Sequence, residues 1–172
     1  VEYGDLICER YSVRKFSSQK VEQEKVAAIL EAGRTAPTAV NYQPQRILVL
    51  DSEDSLEKLK SVTPYHFHAP LAILVCYDAA VSWKRSYDGK DMGEVDASIV
   101  ATHMMLAATN LGLGSTWVGH FDPDKIKTAF ALPENIIPVA LFPMGYPAET
   151  SVPHANHGKR FDLGVTTFRN SF

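Results

Sequence analysis

Cysteine is scarce in this chain of 172 residues, with only Cys8 and Cys76 present. They are far apart and form no C-x-x-C pair, so neither a disulfide scaffold nor a dithiol redox motif is expected. Long apolar runs are missing too, which excludes a bilayer-spanning segment. The first residues do not read as a signal peptide, and a cytoplasmic protein with free thiols and no membrane partner is expected. Positive charge is not in excess. The formal charge of −3 offers no overall basic field for nucleic acid. No repeat, no low-complexity segment, no nucleophile triad and no paired-carboxylate motif is visible. His66 and His68 form an H-x-H pair without a third ligand at helpful spacing. They are expected on a surface or substrate-side loop and not in a metal site.

What is present suits one globular domain, residues 1–172. Hydrophobic residues make up 45% and charged residues 22%, ordinary values for a chain that can bury a sizeable core. One stretch near the N-terminus stands out: Arg10-Tyr11-Ser12-Val13-Arg14-Lys15-Phe16. It concentrates three cations and two hydroxyls before any convincing helix or strand. Arginine forks and a serine hydroxyl suit a phosphate, and the alternative is a solvated basic turn. A helix is expected over Val21 to Gly33, where Val26, Ile29, Leu30 and Gly33 follow helical spacing. The stretch Ala36 to Gln45 holds two prolines and the amides Asn41, Gln43 and Gln45. It reads as a shaped loop, either satisfying its own backbone or meeting a flat heterocycle.

Strands are expected at Arg46–Asp51, Leu71–Tyr77 and Ile136–Phe142, and a short one within Leu113–Phe121. Cys76 should lie in the core. Short helices should follow Ser52 and Asp122, each a good N-cap. Residues 78–93 are polar, aromatic and breaker-rich, and read as a lid or as a surface excursion. The helix over Val95–Leu111 is apolar nearly all round and should be buried in a core or an interface, with His103 a hydrogen-bonded histidine there. Gly119 lets a ligand or another backbone approach closely. The tail from Pro153 carries His154, His157, Lys159 and Arg160, a second cationic cluster. Helix–strand alternation alone suggests a parallel α/β sheet.

Four segments occur together in order: Arg-Tyr-Ser-Val-Arg-Lys-Phe at 10–16, Ala-Pro-Thr-Ala-Val-Asn-Tyr-Gln-Pro at 36–44, Gly-Leu-Gly-Ser-Thr-Trp-Val-Gly at 112–119, and Pro-Val-Ala-Leu…Gly-Tyr-Pro-Ala-Glu at 138–149. On these segments, and along nearly its full length, the chain resembles the FMN-dependent nitroreductase-like flavoproteins. The resemblance implies an α+β fold with a central, mostly antiparallel sheet flanked by helices, in an intertwined homodimer with FMN at the subunit interface. It implies that Arg10, Tyr11, Ser12 and Arg14 contact the phosphate and ribityl chain, with Lys159 or Arg160 closing over the same phosphate. Pro37, Thr38, Ala39, Asn41 and Gln43 would meet the flavin, partly from the other subunit. Gly119 would face flavin N5, with Val118 and His120 beside it.

The activity implied is ping-pong hydride transfer from NADH or NADPH through FMN N5 to a nitroaromatic, quinone or similar small-molecule acceptor. The cofactor would carry the chemistry, so no catalytic side chain is expected. Two features depart from the family pattern. The 77–93 region is compact, and His120 stands where many members have a small residue. A flavin-binding storage or sensor protein with little turnover is the alternative.

Overall fold

The structure is a computed structural model, and it describes residues 2–172. Its core element is β2 (Leu71–Asp78), buried on both faces. Leu71, Ile73 and Val75 point into one hydrophobic cluster and Ala72, Leu74 and Cys76 into the other, the two-residue alternation of a strand between two layers. The sheet has four strands in the order β1-β2-β4-β3. Here β1 is Gln45–Leu50, β3 is Gly114–Ser115 and β4 is Ile136–Gly145. Every neighbouring pair is antiparallel. The sheet therefore matches the arrangement implied by the resemblance, and the parallel sheet suggested by element alternation is wrong. Helix α3 (Glu53–Val62) and a 3-10 turn at Pro64–His66 link β1 to β2. They pack over one face of the sheet and bring the chain back beside the strand it left.

Strand β4 carries two prolines in the middle of the sheet, which needs explaining because proline donates nothing to a ladder. Pro138 sits at the shift in register between Val75 and Cys76. On its other side β3 is only two residues long and pairs near the far end of β4. Pro143 contributes its carbonyl, accepting from the Thr116 N–H at 3.4 Å.

Helices α2 (Gln23–Arg34) and α4 (Gly93–Asn110) cover one face. The expected apolar stripe of α2 holds: Val26, Ile29 and Gly33 are buried. A Cβ on Gly33 would come within 2.8 Å of Met104 Sδ, so glycine here sets the approach of the two helices. The other face carries α3 and α5 (Pro123–Ala129). Ser52 accepts from the Ser55 N–H, and Asp122 from the N–H groups of Asp124 and Lys125, confirming both caps. Helix α4 buries Ala97, Val100, Ala101, Met104 and Ala108 but leaves Val95 exposed and Ile99 and Met105 half-covered. His103 is exposed in this chain, not a core histidine. It lies on the helix face turned away from the sheet.

One further expectation needs correction. The basic stretch is preceded by a helix, α1 (Tyr3–Glu9), none of whose residues is buried. Residues 78–93 are knitted together. Lys84 bridges to Asp91, and Arg85 donates to Asp88 at 2.9 and 2.5 Å. Asp78 roots the segment, accepting from Asn135 Nδ2 at 2.7 Å, the Ala80 N–H at 3.0 Å and Arg46 at 3.0 Å. The Asn135 amide, helped by the Ala80 N–H and Arg46, holds the Asp78 carboxyl below the usual carboxylate range. Past β4 the chain is exposed, with a single short turn of helix, α6 (Leu163–Thr166). Among the described residues no helix is long and apolar enough to cross a membrane.

Candidate functional site

The N-terminal stretch and the start of the tail run side by side. Ser12 bridges to Ser115 and Phe16 to Pro147. The Ser17 N–H donates to Tyr146 O at 2.9 Å and the Ala148 N–H to Lys15 O at 3.0 Å. Tyr11 Oη donates to Ser151 Oγ at 3.1 Å. Two small cavities result, and Arg14 lines both. The first, about 210 Å³, is lined by the aromatic Tyr65, Phe67 and Trp117 together with Thr116, Val118, Gly119 and His120. The second, about 200 Å³, is lined by Ser12, Arg14, His154, Asn156 and His157. Among the described residues Arg14 makes only one hydrogen bond, from Nη1 to Ser12 O at 3.2 Å. Most of its donors therefore remain available.

The backbone of the first cavity is set by β4. Val118 exchanges both of its backbone hydrogen bonds with Leu141, at 2.9 and 3.0 Å. Strand alternation then turns the N–H of Gly119 away from the sheet, and among the described residues nothing accepts from it. Among the described residues no atom beyond its own chain neighbours lies within 4 Å of the place a Gly119 Cβ would occupy. Packing does not require glycine there, but close approach of a ligand would. His120 is held by its carbonyl, which accepts from Thr63 Oγ1 at 2.8 Å, and Tyr65 meets its ring edge-on at 5.4 Å.

The amide loop forms a separate cluster. Val40, Asn41 and Gln43 all have φ near +50°, a conformation that is strained for a β-branched valine. Two side chains hold it. Asp96, 2% exposed on α4, accepts from the Ala39 N–H at 2.8 Å, and Thr38 Oγ1 accepts from the Gln43 N–H at 3.1 Å. Val40, Asn41, Tyr42 and Gln43 are exposed. No residue of 37–43 lines either cavity in the same protomer.

The sequence-expected residues therefore divide into groups. Ser12, Arg14, Val118, Gly119 and His120 come together along the two cavities. Tyr11 braces them from behind. Arg10 is half-buried and ends α1, its N–H bonding Leu6 O at 3.1 Å. Pro37, Thr38, Ala39, Asn41 and Gln43 stand apart. Lys159 and Arg160 lie just beyond the second cavity and line neither; Arg160 Nη1 donates to His157 O and Lys159 O. Sequence reasoning missed Asn156 and the two histidines as lining residues. The imidazoles were legible as members of the tail cluster, but their facing was not.

Three buried side-chain oxygens have no protein partner: Gln45 Oε1, Asp96 Oδ2 and Ser115 Oγ. All belong to these clusters. Ser115 lies beside Ser12, Asp96 beneath the amide loop, and Gln45 just after it. Orphaned polar atoms concentrated in two places mark surfaces built to be completed. A larger cleft of about 520 Å³ lies between α3 and the 66–70 turn. Lys20, Lys60, Asp51, Glu53 and Glu57 give it mixed charge, with no convergent donor set. His66 sits there against His68, with ring centroids 4.4 Å apart, and burial, followed by the His68 charge, pushes its pKa down. Among the described residues no three His, Cys, Asp or Glu side chains gather as a metal site would need. Burial pushes the Cys76 thiol up to about 12, which removes it from nucleophilic chemistry.

This arrangement can hold a ligand with a flat head and an anionic tail. Donors of the second cavity suit phosphate, and the aromatic and backbone surface of the first suits a planar ring system. Comparisons with known proteins show the family of the chain. The family model described as the nitroreductase family matches residues 7–63 and 64–146. A crystal structure of a nitroreductase family protein from Clostridium difficile 630 superposes with a TM-score of 0.94 at 40% identity, covering 100% of both chains. A protein of Methanothermobacter thermautotrophicus, provisionally named an NADH dehydrogenase/NAD(P)H nitroreductase, is 34% identical over 152 residues, 84% of this chain and 77% of its own. An FMN reductase [NAD(P)H] of Bacillus subtilis is 27% identical over 158 residues, 81% of this chain and 64% of its own.

Proposed function

The chain belongs to the nitroreductase family, and from that premise we propose that it is an FMN-dependent NAD(P)H oxidoreductase acting as a homodimer. The observation that carries the reading is the pair of cavities joined at Arg14. One offers hydroxyl, guanidinium and imidazole donors, the other an unpaired backbone N–H between aromatic walls. That order of chemistry, from anion to heterocycle, is the order of groups in FMN. Arg14 and Ser12 would hold the phosphate, and the Gly119 N–H is the donor for flavin N5.

When bound, FMN would supply the redox chemistry, hydride exchange between NADH or NADPH and a nitroaromatic, quinone or similar electron-poor acceptor. The chain's own residues position and enclose. Val118, locked to Leu141, fixes the Gly119 donor. Tyr65, Phe67 and Trp117 would flank a ring seated in the first cavity. Arg14, lining both cavities, would hold a permanent positive charge against the cofactor's anionic tail.

The dimer is supported by what one protomer leaves uncovered. Phe161, Leu163, Val165, Phe168 and Phe172 are exposed along the tail, far more apolar surface than a free arm in water favours. The outer face of α4 adds the exposed Val95 and the half-covered Ile99 and Met105, set among Glu94, Thr102 and His103. The strained amide loop, held ready by Asp96 and Thr38, reaches no cavity of its own protomer. A second copy placing it over the flavin completes both.

Steady-state kinetics test the reading. With NADH or NADPH and a quinone as the varied substrates, double-reciprocal plots should give parallel lines. Intersecting lines would show that both substrates must be bound together and would overturn the ping-pong scheme.

A further inference from the structure

The second cavity contains more than Arg14 and Ser12 need. We propose that His154 and His157 are this chain's C-terminal phosphate ligands, in place of Lys159 and Arg160, and that they make FMN retention depend on pH. The proposal rests on the flavin reading above.

The backbone dictates which tail residues face the cavity. The His157 N–H donates to His154 O at 2.8 Å, and the Lys159 N–H to Asn156 O at 3.1 Å. These two overlapping turns put His154, Asn156 and His157 on the side facing Ser12 and Arg14. Arg160 lines neither cavity and turns back on the backbone, with Nη1 donating to His157 O at 2.6 Å and Lys159 O at 2.7 Å. It braces the turn from outside. The turn itself is tied down by Tyr11 Oη on Ser151 Oγ and by Tyr11 meeting the His157 ring edge-on at 6.2 Å.

The two imidazoles have different tasks. His154 Nδ1 accepts from the Asn156 N–H at 3.1 Å, so its proton sits on Nε2, a donor that the neutral ring already offers. Among the described residues no hydrogen bond holds either nitrogen of His157, so both are left to meet a phosphate, and a dianion favours a charged imidazole beside it. The groups facing the pair are Ser12, Arg14 and Tyr11 from the N-terminal stretch, with Lys159 and Arg160 following in the tail. No carboxylate lines the cavity to compete for the charge.

Apoprotein titrated with FMN, followed by flavin fluorescence from pH 5.5 to 8.5, tests this. Wild type is compared with His157→Gln, His154→Gln and the double variant Lys159→Ala/Arg160→Ala, each checked for unchanged melting. The phosphate also titrates in this range, but it does so identically for every variant. The expected result is about a ten-fold loss of FMN affinity for His157→Gln at pH 6, shrinking to about two-fold at pH 8.5. His154→Gln should lose several-fold at every pH, and Lys159→Ala/Arg160→Ala should stay within about three-fold. Riboflavin, which lacks the phosphate, should bind all four proteins alike. Wild-type affinity in both histidine variants, or a larger loss in the lysine–arginine variant, would overturn the assignment and leave the flavin reading standing. Wild type binding neither FMN nor riboflavin would overturn the flavin reading, and this assignment with it.

Discussion

Replacing Arg14 with alanine separates folding from function at a single residue. Its guanidinium is exposed and makes one hydrogen bond to the protein, at 3.2 Å to Ser12 O, and it takes part in no ion pair among the described residues. Truncation therefore leaves no buried partner unsatisfied and creates no cavity. Stability should change by no more than about 0.5 kcal/mol. The ligand loses much more. A hydrogen bond to a charged group contributes about 1.5–3 kcal/mol, which is about a 10- to 150-fold rise in the dissociation constant for FMN. Arg14→Lys keeps the charge and loses the fork, and should fall between. Titration of apoprotein by flavin fluorescence, alongside urea unfolding of the apoprotein, reads both quantities. FMN affinity unchanged in Arg14→Ala would refute the placement of the phosphate. A large loss of stability would refute the claim that this arginine is free.

Other residues can be tested in the same way. Gly119→Ala should fold normally, since its Cβ meets no protein atom within 4 Å, yet weaken FMN binding; Gly114→Ala, whose Cβ would lie 2.4 Å from Val13 Cγ2, should disrupt the fold, and thermal melts with flavin titrations distinguish the two. Tyr146 Oη donates to the Glu22 carboxylate at 2.7 Å and accepts from Lys25 Nζ at 2.8 Å. Tyr146→Phe breaks this clip between α2 and the end of β4 and should cost about 1–2 kcal/mol in urea unfolding. Asp78 is held below its ordinary pKa by Asn135, Ala80 and Arg46. It therefore contributes stability above the unfolded carboxylate value of about 3.9, and loses it as pH falls through its lower folded value. Asp78→Asn should melt earlier than wild type at pH 7, and the gap should close below about pH 4; a gap constant with pH would contradict the ionic role.

Much of the fold was legible locally. The caps at Ser52 and Asp122, the stripe Val26–Ile29–Gly33 and the alternation in β2 follow from spacing and side-chain chemistry. Strand direction did not, because a helix between strands says nothing about whether the chain crosses the sheet or returns beside the strand it left. Helix α1 was illegible because none of its residues is buried and it carries no core-facing stripe. In the site, Arg14, Ser12 and Gly119 stood out by residue type. The tail did not. Permanent cations at 159 and 160 stand out by charge, whereas it takes the turns at 154–159 to set His154, Asn156 and His157 along the second cavity. Likewise Asp96, an anomaly on an apolar helix, acquired meaning only when Ala39 was found beneath its carboxylate.

The central claim, that this chain carries hydride from a nicotinamide to an acceptor through a flavin gripped at Arg14, is tested most directly by one anaerobic experiment. FMN-loaded protein mixed in a stopped-flow instrument with NADH, and separately with NADPH, should lose the absorption bands of oxidised flavin within a single turnover. Those bands should return on adding a quinone. Flavin that stays oxidised with both nucleotides would contradict the account and leave a flavin-binding protein without reductase activity.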